Sequence, residues 1–561
     1  MKPTKNNIAK LFMFLVGLII TSSCGSDTSS VSSDYYGIGS GGSEGGVTIT
    51  NEVTSPKDMK VGDVMMLEFA YGEPAEINFE GTEPDSAYYL AIAELDTWGG
   101  LRSVAFGDED LPVPAMDSVD GAVSGKAYDS EAVALDLDER FQEILRENER
   151  RIASDSRFAR QDVDGGLGFK AAAVTPSISV GDTREFRVLN SLTNMGSYTT
   201  VTARARCVEK DVVIYVDTEV EGDKDLLTDE DIARFCNEFE SAVSSIQGWF
   251  GEASDVDGDG KVSALLTPQV NRLGAMGGGI ITGFFLASDL YPRSSSNQVS
   301  NEMEIIYALV PNPDGKYGSV TIPKDFAIEN FLTAVLPHEF QHVVSYNQHV
   351  LKGGGNPEEN WLNEGLSHLT EDLVGYGQEN YSRANIFLRD PLSYPLVGSS
   401  SANLGRRGAA YLFLRFLYEQ AEDKDAFLWG LYHSGKTGVE NIEAAFAGSV
   451  ENFDQFGEFL MRWAAALVIS GRGISVDPRY TYRPRTWNDE TKRWQGICLI
   501  CDAEDGRGTL MTGPAIYEYS GSPVSLYPSG IGFYNISSPS TSISLNPSSS
   551  GSFGAVLVRY R

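Results

Sequence analysis

The sequence predicts an α+β protein, a mixed sheet followed by long helices, with β-rich regions on both sides. Three observations predict it. From about residue 180 to 310 short β-branched runs surround one long helical pattern. After these come long helical patterns at 326–351, 361–376, 407–419 and 453–469. Before 96 and after 476 short apolar runs are broken by Gly, Pro, Ser and Asp, as in small β domains. At 561 residues the chain exceeds one ordinary core, so about two to four domains are expected.

Composition narrows the function classes. Hydrophobic residues make up 42% and charged residues 22%, the proportions of a water-soluble globular chain. The net charge of −34 argues against a nucleic-acid or anionic-membrane partner, because like charges repel.

Residues 1–23 read as an export signal and not as structure. Lys2, Lys5 and Lys10 precede an apolar run at 11–20 that is too short to span a bilayer, and small residues lead to Cys24. The pattern resembles a bacterial lipoprotein signal, which implies lipidation at Cys24. It also implies an exported protein of the cell envelope, the outer membrane favoured, or a secreted one. Membrane contact would then be through that N-terminal anchor. Residues 24–46, rich in Ser and Gly, form a flexible tether.

A β-rich N-terminal domain is expected over 47–130. Residues 131–179 form a connector, or else a removable pro-segment. Its Glu-, Arg- and Leu-rich stretch at 131–151 is a solvated helix. Over 180–474 the main domain opens with strands at 185–189, 199–208 and 212–216. Thr228 then caps a helix whose first turn holds Asp229, Glu230 and Asp231. A strand at 262–266, a Gly-rich loop at 274–283, a strand at 303–310 and four helices complete it. Residues 475–561 form a separate C-terminal β domain. Of the four cysteines after Cys24, Cys498 and Cys501 suit a short-loop disulfide, and Cys207 with Cys236 is a pairing left open.

All five histidines fall within residues 338–433, so one segment needs imidazole. His338-Glu339-Phe340-Gln341-His342 places two imidazoles four residues apart, on one helix face, where both reach one ion. Glu339 lies one step round, able to take a proton from water without being a ligand. A zinc site that does chemistry needs three protein ligands and an open position. Glu364, 21 residues beyond His342 in Trp361-Leu-Asn-Glu-Gly365, completes the set. His368 and Glu371 follow it on the same face, where either can bond a ligand imidazole.

HExxH followed by a WLNEG helix resembles the gluzincin zinc metallopeptidases. The stretch from about 180 to 469 is similar to the hyicolysin-type bacterial peptidases, through Val212-Val-Ile-Tyr-Val-Asp217, Asp255-Val-Asp-Gly-Asp-Gly-Lys261, HEFQH and WLNEG. The resemblance implies a zincin-like catalytic domain with a mixed sheet, an active-site helix and a helical C-terminal subdomain. It implies zinc on His338, His342 and Glu364, Glu339 as base and acid, Glu371 in support, and a peptide or protein substrate. This chain departs from those families at His368, where thermolysin-like enzymes carry aspartate. It also lacks a tyrosine in Gly405-Arg-Arg-Gly-Ala-Ala410. The oxyanion stabiliser expected here is therefore His433, with Tyr432 and Tyr411 behind it. His349 is expected to be cationic near a helix C-terminus.

Asp255, Asp257 and Asp259 alternate as in the first half of a calcium loop that runs on to Lys261. Leu266 stands where the closing glutamate of an EF-hand would be. The two readings are a structural calcium and a plain acidic turn. The rivals to an endopeptidase are a non-catalytic envelope binding or adhesion lipoprotein and an aminopeptidase. The intact HExxH…E set speaks against the first. Gly274-Ala-Met-Gly-Gly278, which lacks the amine-binding glutamate, speaks against the second.

Overall fold

A computed structural model describes residues 53–107, 137–155, 157–158 and 177–561, apart from 224–225, 319, 399–402, 448–454, 501–510, 538 and 540. The export signal, Cys24, the tether, 108–136 and 159–176 lie outside the described residues. Among those described, no helix is long and apolar enough to cross a membrane.

The chain is mixed α and β. Its central sheet has six strands in the order β5-β6-β7-β8-β10-β9. They are β5 (Thr183–Leu189), β6 (Tyr198–Val208), β7 (Val212–Asp217), β8 (Val262–Leu266), β9 (Gly283–Phe285) and β10 (Ile305–Ala308). β7, β8 and β10 run parallel, and their residues are buried throughout, as expected of strands covered on both faces. β9 pairs antiparallel with β10 and forms an edge.

One long helix, Asp229–Phe250, begins at a capping box. Asp231 N donates to Thr228 Oγ1 and Thr228 N donates to Asp231 Oδ2. Its Cys236 is joined to Cys207 of β6, which closes the pairing left open above. Cys498 is also disulfide-bonded. Of the Gly-rich loop expected at 274–283, residues 278–282 are a loop, whereas 274–277 end a helix, Pro268–Gly277, started by the Thr267 cap and Pro268. Gly274 is needed there for close packing, since a Cβ would meet the Ile281 nitrogen at 2.6 Å.

The two flanking β regions are not separate domains. The N-terminal strands are β1 (Val64–Ala70), β2 (Ala75–Asn78), β3 (Tyr88–Glu94) and β4 (Arg102–Phe106). The C-terminal ones are β13 (Tyr517–Glu518), β14 (Val524–Leu526), β15 (Ile531–Ile536), β16 (Ser542–Pro547) and β17 (Ser552–Arg559). They interleave in two sheets, β1-β17-β3-β15-β13 and β14-β4-β16-β2. Each segment's strands find their ladder partners largely in the other. The remaining strands, β11 (Thr486–Asn488) and β12 (Arg493–Gln495), form a separate hairpin.

The period of two assigns faces. Met65, Phe69, Leu90, Ile92, Phe553, Ala555 and Leu557 fill the space between the two sheets. Val64, Ala91, Ala93, Val556 and Val558 point the other way, into the core shared with the helices. Helix Phe456–Ile469 packs there: Gly554 of β17 makes room for Met461, whose sulfur a Cβ would meet at 2.6 Å.

Candidate metal centre

The two helices that carry the motif are α1 (Thr333–Tyr346) and α2 (Asn360–Leu373). Every residue of α1 is buried, between helix Asp229–Phe250, the sheet and α2. π-helical turns flank it at Ala327–Leu332 and Asn347–Lys352. A helix packed on all sides cannot rotate, so His338 and His342 are presented rigidly, their ring centroids 5.0 Å apart.

α2 brings Glu364 to both. His338 Nε2 lies 3.6 Å from Glu364 Oε2, and His342 Nε2 lies 3.6 Å from Oε1. Three ligand atoms, one from each residue, all lie within 4.8 Å of one another. Glu371, two turns further along the same helix face, accepts from His338 Nδ1 at 2.6 Å and from His368 Nδ1 at 2.9 Å. That bond fixes the His338 ring and turns Nε2 towards Glu364. Ser367 Oγ stands 3.2 Å from His342 Nε2 and donates to Gln341 Oε1, while Gln341 Nε2 donates to Tyr432 Oη at 2.6 Å. Glu339 Oε2 accepts the backbone N–H of Phe285, on edge strand β9, at 3.0 Å.

The donor set fits a zinc ion. Among the described residues neither buried oxygen of Glu364 has a well-formed hydrogen bond; each is met only by charged or imidazole nitrogens at 3.3–3.8 Å, an arrangement that a cation would complete. Two imidazoles and one carboxylate are the nitrogen and oxygen donors zinc prefers. Burial pushes the Glu364 carboxyl up, but Arg407, His338 and His342 outweigh it and hold it well below the usual range. Burial pushes His338 down, yet the carboxylates of Glu364 and Glu371 carry it up to about 9. Burial, and then Arg146, keep His342 neutral. Burial raises Glu339 above the ordinary carboxylate range.

Two guanidinium groups are present that sequence reasoning missed. Arg407 Nη1 lies 3.3 Å from Glu364 Oε2, and Arg146 Nε lies 3.8 Å from Oε1. Arg407 belongs to the Gly405–Ala410 run, which was singled out only for its lack of tyrosine. Arg146 belongs to the stretch expected to be a solvated helix. That helix, α3 (Leu137–Ser154), instead buries Phe141, Leu145, Arg146, Glu149 and Ile152 against the main domain.

Other expectations are corrected. His433 is exposed, and no contact of it with His338, His342 or Glu364 is present among the described residues. Its ring stacks on Trp429 at 3.8 Å and its Nδ1 bonds the Trp429 carbonyl. It sits beside Gly251 and Gln348. Tyr432 supports Gln341, and Tyr411 is buried in the core. His349 is not cationic: burial, with His433 adding to it, lowers its pKa to about 4.

In the acidic loop, the carboxylates that come together are Asp255, Asp257 and Glu304, a residue the sequence did not suggest. Asp259 Oδ1 is tied to the Lys261 amide, and Lys261 Nζ turns to the carbonyls of Glu209 and Lys210. Arg184 lies 3.9 Å from Asp257. Burial, then Asp259, raises Asp257 to about 7.

Fold and site together define a mixed α and β protein with a buried His–His–Glu donor set on two packed helices. No protein-family model matches the chain. Over 297 residues the chain is 26% identical to the neutral metalloprotease ShpI of Staphylococcus hyicus, a match covering 51% of this chain and 63% of that protein. The chain thus spans less than two thirds of that relative's length.

Proposed function

We propose that the chain is a zinc-dependent peptidase of the gluzincin type, with a zincin-like main domain, that acts as an endopeptidase. The observation that carries the reading is the convergence of His338, His342 and Glu364 within 4.8 Å, beside a buried glutamate that is not one of the three. Similarity to a protein named as a metalloprotease supports a metallopeptidase.

His338, His342 and Glu364 would hold the ion, which when bound supplies a Lewis acid that acidifies water to a pKa of about 7. Glu339 takes the proton of the attacking water and passes it to the departing amine nitrogen. Its burial raises its pKa, which suits a group that must give the proton back. The Phe285 N–H holds one of its oxygens in place. Arg407, buried and fixed on helix Leu404–Gln420, takes the role first assigned to His433 and donates to the carbonyl oxygen as negative charge grows there. Glu371 orients His338.

Export and lipid anchoring through Cys24 belong to the same proposal, supported by the pattern of the first 24 residues. The test is elemental analysis of the purified chain together with digestion of a diverse peptide library. One zinc per chain, lost in His342→Ala, and internal cleavage of peptides are expected. A chain that takes up no zinc overturns the proposal.

A further inference from the structure

Helix α3 spans from edge strand β9 to the start of α2, passing over the ligand Glu364. Its Phe141 meets Phe284 of edge strand β9 edge-on, with ring centroids 5.4 Å apart. Gln142 Nε2 approaches the Gly283 carbonyl of the same strand at 3.4 Å. At its other end Arg150 donates to Asn360 Oδ1, at the start of α2, at 2.5 Å. Between these fastenings Arg146, 1% exposed, reaches Glu364. The helix thus covers β9, the strand edge on which an extended peptide would find backbone partners.

The charges are unusual for a structural helix. Among the described residues none of the three nitrogens of buried Arg146 is in a well-formed hydrogen bond, and its ion-pair partners are Glu149 of its own helix, at 2.8 Å, and Glu364. A buried arginine is tolerated only where it is paired. Half of its pairing therefore depends on a carboxylate assigned here to zinc. A divalent cation on Glu364 would face the guanidinium as a like charge, so zinc occupancy and docking of the helix oppose each other. By linkage the opposition is reciprocal.

Resting on the peptidase reading above, we propose that α3 is an intramolecular inhibitor: docked, it excludes peptide from the cleft and weakens zinc binding, and it must leave for hydrolysis. Phe141, Leu145 and Ile152 form its adhesive face and Arg146 the group that reads the metal ligand.

The test uses the full chain, the parent against Leu145→Asp, which undocks the helix, and Arg146→Ala, which keeps the adhesive face. Three quantities are measured: zinc affinity by chelator competition, affinity for a fluorescent peptide hydroxamate, and the cleavage rate of a quenched peptide library. At least tenfold tighter hydroxamate binding and tenfold faster cleavage are expected for Leu145→Asp. A synthetic peptide of residues 137–154 should reverse both, and the same peptide carrying Arg146→Ala should do so less well. Arg146→Ala should bind zinc at least tenfold more tightly, a readout that stands even if Leu145→Asp does not fold. Equal hydroxamate and zinc affinities in parent and Arg146→Ala overturn the inhibitor. If no form cleaves any peptide yet the affinities differ as stated, the peptidase reading has failed while α3 still occupies the cleft.

Discussion

Glu371 touches no proposed reactant, yet the account gives it a measurable share of metal affinity. Its carboxylate accepts two imidazole N–H groups, from His338 at 2.6 Å and His368 at 2.9 Å, while only 4% exposed. Burial pushes its pKa up, but His368 and His338 outweigh this and leave it ionised. Glu371→Gln keeps an acceptor oxygen and loses the charge, so His338 stays oriented but becomes less basic. Glu371→Ala removes both, and His338 Nε2 no longer has a reason to face Glu364. Lost support of this kind weakens metal binding roughly 10- to 100-fold. The expected losses are therefore about tenfold for Gln and about a hundredfold for Ala, some 1.4 and 2.7 kcal/mol. Competition against a chromophoric chelator measures them, with a thermal melt to show that each variant is folded. A folded Glu371→Ala that binds zinc as tightly as the parent refutes the assigned role.

Four further outcomes follow from the geometry. Arg407→Ala should keep zinc and lower kcat by about 10²–10³-fold, as for a lost oxyanion donor, while His433→Ala leaves the rate within about twofold; steady-state kinetics on both variants decides between them. Gly408→Ala should fold poorly or melt well below the parent, because its Cβ would meet the Arg383 carbonyl oxygen at 2.1 Å. Burial raises Glu358 from 4.5 to about 8 despite bonds from the Gly438 N–H, Asn441 and the Glu359 N–H. The folded chain then holds a proton that the unfolded chain has lost, so this contribution to stability is complete below about pH 4.5 and lost by about pH 8; melting curves should show a smaller fall over that window for Glu358→Gln. Replacing Cys207 and Cys236 by Ala should lower stability by about 3–4 kcal/mol in a denaturant titration, given the 29-residue separation they close.

The candidate donor set could be picked out because much of its geometry is local. Spacings of four between His338 and His342, and of seven from Glu364 to Glu371, set helix faces whatever the rest of the chain does. The long helices, the Thr228 cap and most strands of the mixed sheet were legible for the same reason, whereas the short helices Pro268–Gly277, Asn380–Arg389, Lys424–His433 and Gly438–Phe446 were not. What escaped was long-range. β17 pairs with β1 and β3 across almost the whole chain, and nothing in either segment's alternation of apolar residues names its partner. Arg146 escaped because a Glu- and Arg-rich helix looks solvated when its partner carboxylate is out of sight. Arg407 escaped because the Gly405–Ala410 run was searched for a tyrosine hydroxyl, not for a cation. His433 misled because histidine count alone says nothing of direction: its segment is near in sequence, but its ring faces solvent over Trp429. Glu304 reached the acidic loop only through the pairing of β10 with β8.

The central claim is that a carboxylate beside the metal ligands, and not among them, moves the proton. Glu339→Gln tests it most directly. Zinc content, fold and melting temperature should stay near those of the parent, since His338, His342 and Glu364 are untouched. The amide cannot accept the proton of water, so kcat on a cleaved peptide should fall by about 10²–10⁴-fold, roughly 3 to 5 kcal/mol of barrier. A zinc-loaded Glu339→Gln that cleaves at the parental rate, or one that has lost its zinc, would contradict the account.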